Sequence, residues 1–146
     1  MKLLIITFAL AFSVFSQNAF ADETKVSPIV LKSFQHQFTT ATAVDWTITA
    51  NFYKVQFVLN DQHVTAFYEG DGNLIAVIRN ITSDQLPVKL QAELKKDLEH
   101  NWISELFEIT NEEGTEYYVT LENADVKQVL RSASYGTWSN YLKSKK

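Results

Sequence analysis

Between residues 51 and 81, apolar and polar side chains alternate with the period of an extended chain. Tyr53, Val55, Phe57 and Leu59 alternate with Phe52, Lys54, Gln56 and Val58, most cleanly over 53–57, which puts one set on each face of a strand. Asn60, Asp61 and Gln62 interrupt the pattern, and an extended run resumes over 64–68. Gly70-Asp71-Gly72-Asn73 is a second break whose glycines permit positive φ. The run at 74–78 is rich in β-branched residues. The pattern predicts a three-strand antiparallel meander.

The flanking segments change period. Ser27 and Pro28 supply a helix start, and Val30, Leu31, Phe34 and Phe38 recur at helical spacing, which predicts an amphipathic helix over 28–38. A short strand over 44–48 leads from it into the meander. Pro87 opens a second helix in which Leu90, Leu94 and Leu98 repeat every four residues, ending near His100 and Asn101. Extended runs follow at 102–109, 117–121, 126–130 and 137–142, separated by turns at 111–114, 123–125 and 135–136.

This order repeats. Pro28 to Leu31 matches Pro87 to Leu90 at an offset of 59 residues, while the Tyr53-Val55-Phe57 alternation matches Tyr117-Val119-Leu121, and Gly72 matches Gly136, at 64. The expected fold class is therefore α+β: two tandem helix-plus-antiparallel-meander units, about residues 27–82 and 83–146, with the helices on one face of the sheet.

The N-terminus reads differently. Lys2 precedes an apolar stretch over 3–15, and Ala19-Phe20-Ala21 has the small-x-small pattern of a signal peptidase site. The apolar stretch is too short to span a membrane. Residues 1–21 are expected to be a cleaved signal peptide, with a domain over 22–146 and a periplasmic or secreted location. Cleavage leaves 12 basic against 17 acidic residues, a net charge of −5, which argues against nucleic acid and anionic membrane surfaces as partners. The remaining 125 residues are enough for one core, in keeping with the absence of cysteine.

The residues that carry the pattern also carry a resemblance. Val44-Asp45-Trp46, Tyr53-x-Val55-x-Phe57, Ala66-x-Tyr68-x-x-x-Gly72, Leu86-Pro87 and Tyr117-Tyr118-Val119 together resemble the PepSY-like, β-lactamase-inhibitor-protein-like family of small exported bacterial proteins. The resemblance covers nearly all of residues 22–146. It implies two helix-plus-sheet units and no catalytic residues; no cofactor is expected either. The named relatives inhibit β-lactamase or, as propeptides, peptidases.

Other chemistry finds little support in the residues. His36, His63 and His100 lack metal-ligand spacing. Glu112-Glu113 before Gly114 reads as a solvated turn rather than one half of a carboxylate pair with Asp45, and Asp71-Gly72-Asn73 as a hairpin turn rather than a calcium loop. No Gly-x-Ser-x-Gly elbow is present. Asn80-Ile81-Thr82 is a sequon that matters only in a eukaryotic secretory route.

Trp46, Trp102 and Trp138 are expected mainly in the core. If Tyr53, Val55 and Phe57 face the helices, then Phe52, Lys54 and Gln56 face away, and by the repeat so do Tyr118 and Thr120. These five residues, with Asn60 and Asp61 of the neighbouring hairpin, form the candidate partner surface. The sequence thus predicts a non-enzymatic module binding a protein or peptide in the envelope. Two rivals remain: a small-ligand or envelope-stress sensor, which needs a closed apolar cavity, and an enzyme with dispersed active-site residues, which needs a pocket of convergent titratable groups.

Overall fold

A computed structural model describes residues 25–133 and 136–145. The expected signal peptide and its cleavage site lie outside the described residues. The element order is α1 (Pro28–Gln37), β1 (Thr42–Ile48), β2 (Tyr53–Leu59), β3 (Gln62–Tyr68), β4 (Leu74–Asn80), a 3-10 turn at Ser83–Gln85, α2 (Val88–Asp97), β5 (Trp102–Asn111), β6 (Gly114–Glu122), β7 (Val126–Ala133) and β8 (Ser139–Lys145).

All eight strands form one antiparallel sheet in chain order. This overturns the expected α+β division into two helix-plus-meander units. The sheet dominates, and among the described residues two ten-residue α-helices accompany it. Across the expected boundary β4 pairs with β5, setting Ile78 opposite Ile109 and Asn80 opposite Phe107. The physical reason lies in the edges. A four-strand meander ending at β4 would leave a row of backbone donors and acceptors unpaired, and pairing with β5 satisfies them. The junction is also tied by side chains: an Arg79 Nη lies 2.8 Å from Glu108 Oε1, and Arg79 Nη1 donates to Gln62 Oε1 at 3.3 Å.

Both helices cover the same face. Under α1, Val30 and Phe34 pack on Trp46, Val55, Phe57, Val64, Ala66 and Tyr68. Under α2, Leu90 and Leu94 pack on Leu106, Tyr117, Val119, Leu121 and Leu130. Phe34 meets Phe57 and Trp46 edge to face, with ring centroids 5.1 and 5.3 Å apart, a favourable geometry for aromatic pairs. Trp138 joins the second core. Its indole N–H donates to Leu90 O at 3.0 Å, fixing the β7–β8 connection to α2. Trp102, expected in the core, is exposed at the start of β5.

Pro87 sits one residue outside α2, as its N-cap, and the helix ends at Asp97, before His100. The final strand runs to Lys145 rather than stopping at Leu142. Of the two glycines in the β3–β4 turn only Gly72 takes positive φ, at +89°. A Cβ there would lie 2.7 Å from Ser33 Oγ and 2.9 Å from Ile29 Cγ2, so this turn presses directly on α1. Among the described residues no helix is long and apolar enough to cross a membrane.

Candidate functional site

Alternation along each strand sends every second side chain to the face that carries no helix. The registers align these positions across the sheet: Lys54 lies opposite Phe67, Thr65 opposite Ile78, Ile78 opposite Ile109, and Phe107 opposite Tyr118. Side chains on this face line an open groove of about 600 Å³ that reaches from β2 to Tyr141 of β8. Its walls are largely apolar and aromatic, with Phe52, Phe67, Ile78, Phe107, Ile109 and Tyr118 among them.

The groove has two differently built ends. At the β2–β3 end, Phe52 and Phe67 meet edge to face with centroids 5.5 Å apart. Lys54, beside Phe67 in the register, is half-buried. At the β6–β8 end, Tyr118 lies parallel to Phe107, with centroids 5.3 Å apart and an interplanar angle of 7°. Tyr141 stands edge-on to Tyr118 at 5.4 Å. The Arg131 guanidinium carbon is 6.0 Å from the Tyr118 ring centre, within cation–π range. Arg131 also forms an ion pair with Glu116 through both Nη2 and Nε, and Tyr118 Oη donates to Glu116 Oε2 at 3.1 Å. Burial, followed by the Glu116 carboxylate, pushes the Tyr118 phenol up to about 12. The bond to Glu116 holds the Arg131 guanidinium above its ordinary range. This end is therefore a rigid aromatic wall whose charges are mutually satisfied.

The candidate residues fall into three groups. Phe52, Lys54, Gln56 and Tyr118 line the groove together. Thr120 lies on the same face but lines a neighbouring recess of about 280 Å³ with Glu105, Phe107 and Lys127. Asn60 and Asp61 do not line either. They occupy the exposed tip of the β2–β3 hairpin with φ of 50° and 62°, the left-handed values that a tight two-residue hairpin turn requires.

Two of these expectations are corrected in one respect. Tyr118 and Thr120 face away from the helices yet are buried, at 7% and 3% exposure. The rings of Phe107 and Tyr141 pack against Tyr118.

Sequence reasoning passed over Phe67, Ile78, Phe107 and Ile109. The alternation through Thr65 and Phe67 on β3 was a usable signal. The position of Phe107 and Ile109 depends on the β4–β5 register, for which no local signal exists.

The three histidines are exposed and far apart in the chain, on α1, on β3 and after α2. Among the described residues no three His, Cys, Asp or Glu side chains come together as a metal-binding group. Glu112 and Glu113 are exposed in the β5–β6 turn, where Asn111 Oδ1 accepts the Glu113 N–H at 2.9 Å. Asp71 Oδ1 likewise accepts the Asn73 N–H at 3.0 Å, a turn-forming contact.

No family model and no curated protein matches the chain. Solved structures do. A BLIP-like (β-lactamase-inhibitor-protein-like) protein from Bacteroides fragilis superposes with a TM-score of 0.67 at 16% identity, over 85% of this chain and 91% of that one. A DUF2874 family protein from Bacteroides uniformis gives 0.69 at 13% identity, over 81% and 88%. A Bacteroides eggerthii protein assigned provisionally to the periplasm gives 0.70 at 12% identity, over 81% and 87%. At these identities the likeness is one of fold. It agrees with the inhibitor-like side of the sequence resemblance, while the PepSY side rests on the residue pattern alone.

Proposed function

We propose that this protein is an exported, non-enzymatic binding module whose uncovered sheet face receives a protein or peptide of the cell envelope, as an inhibitor or regulator of an envelope enzyme or peptidase. The observation that carries the reading is the groove itself. The eight strands put both helices on one face and leave on the other an open trough lined by rings from distant strands. Exposed apolar concavities on rigid frames commonly mark binding sites, and aromatic residues concentrate the energy of protein interfaces. The fold likeness to a BLIP-like protein supports a binding role, and the likeness to a protein assigned to the periplasm supports an envelope location.

One observation favours the small-ligand alternative. The groove volume of about 600 Å³ falls within the range of ligand pockets. Its openness along the sheet favours a polymeric occupant, since a sensor for a small apolar ligand would close around it.

The test uses a partner captured from envelope extract. Phe52 and Phe67 are half-buried, and their rings meet edge to face on the open side of the sheet, so Phe52→Ala with Phe67→Ala should leave the fold intact and weaken binding by about 2 kcal/mol or more. Unchanged affinity in a folded double variant refutes the groove as the partner surface. Turnover of a substrate that depends on an Asp, Glu or His refutes the non-enzymatic reading.

A further inference from the structure

The groove is largely apolar, with Gln56, His63, Thr65 and Asn80 among its polar positions, and its lining includes two charges of opposite sign, Lys54 on β2 and Glu105 on β5. Both are half-buried. Among the described residues neither has an ion-pair partner, whereas on the same face Glu116 and Arg131 are paired with each other. A charged group held against apolar walls and left unpaired favours an opposite charge brought by a partner and penalises a like one.

The register fixes how far apart the two charges stand. Lys54 lies opposite Phe67, Phe67 opposite Ala76, and Ala76 opposite Asn111. From there Glu105 is six residues along β5. Three strand spacings and six residues of rise separate the two positions by about 25 Å along a diagonal of the sheet. That diagonal crosses β3 at Thr65 and β4 at Asn80, and Phe67, Ile78 and Phe107 line the groove as a parallel row beside it.

We propose that the groove takes one extended segment of a partner protein, about seven or eight residues long, with an acidic side chain over Lys54, apolar side chains over Phe67, Ile78 and Phe107, and a basic side chain over Glu105. The proposal rests on the reading of this face as the docking surface and adds the chemistry of its occupant. A helix would need about sixteen residues for the same span, roughly twice the length of chain that an extended segment uses.

The experiment measures fluorescence anisotropy of four labelled nine-residue peptides, with capped ends and the same three apolar residues in the middle. The terminal side chains are one acid and one base, two acids, two bases, or two neutral amides. The purified protein should bind the acid-and-base peptide about tenfold more tightly than the others. Lys54→Glu should transfer the preference to the two-base peptide, and Glu105→Lys to the two-acid peptide. Equal affinities, a preference that does not follow the variants, or no binding by any peptide overturns the proposal. Phe67→Ala separates this failure from that of the docking reading. If all four peptides bind equally and all are lost with Phe67→Ala, the groove remains a docking surface without the charge pattern. If binding survives Phe67→Ala unchanged, the docking reading fails as well.

Discussion

Replacing Phe57 by alanine tests the face assignment on which the groove depends. Phe57 is 2% exposed. Its ring meets Phe34 at 5.1 Å and Phe38 at 4.7 Å between centroids, so truncation removes one member of an aromatic cluster that bridges α1 and β2. The surrounding rings belong to a helix and a hydrogen-bonded strand and cannot collapse fully into the space. A loss of about 3–5 kcal/mol is expected from transfer and cavity terms together, a drop in melting temperature of roughly 10–20 °C for a domain of this size. Lys54, three residues earlier, points to the opposite face and makes no ion pair among the described residues, so Lys54→Ala should stay within about 0.5 kcal/mol. Urea melts of both variants, fitted with a common slope, supply the comparison. Equal losses would mean that the two sides of β2 are buried alike. In that case the helix-covered and open faces have been wrongly distinguished.

Three further outcomes follow from particular contacts. Gly72→Ala should cost about 2 kcal/mol or more in the same melts, because it combines a backbone at φ +89° with a Cβ 2.7 Å from Ser33 Oγ; a neutral result would show that the β3–β4 turn does not press on α1. In a spectrophotometric pH titration one tyrosine should ionise only near pH 12, and Tyr118→Phe should remove that component. Because the folded value lies above the unfolded value of 10.0, the stability tied to the neutral phenol is fully present below pH 10 and is lost as pH rises through about 12. Intact-mass measurement of the protein recovered from its native host should place the first residue at Asp22, and retention of Met1 would contradict export by signal cleavage.

The side-chain alternation foretold strand faces better than it foretold architecture. Val55, Phe57, Val119 and Leu121 lie under the helices, because a two-residue period and a helix stripe are local properties that short windows record. Thr120 shows the limit of the same rule. It alternates with Val119 and Leu121 and faces the other way, yet it is 3% exposed, because on the open face it lies between Glu105 and Val129 of the neighbouring strands, a placement that only the register reveals. The continuous sheet was equally hidden. Nothing near Ile78 or Ile109 announces that they are neighbours, since that pairing is fixed by the joining of β4 and β5, which brings together residues 31 positions apart in the chain. The groove inherits this non-local origin. Phe52, Lys54 and Gln56 could be placed on its wall from one strand alone, whereas Phe107 and Ile109 needed the register.

A photo-crosslinking residue installed at position 67, in the groove, and separately at position 32, exposed on α1, tests the central claim most directly. After irradiation with native envelope extract, the account predicts a discrete protein adduct from position 67 that is absent from position 32 and is competed away by excess unlabelled protein. An adduct from position 32 with none from position 67 would place the partner on the helix side of the sheet and contradict the account.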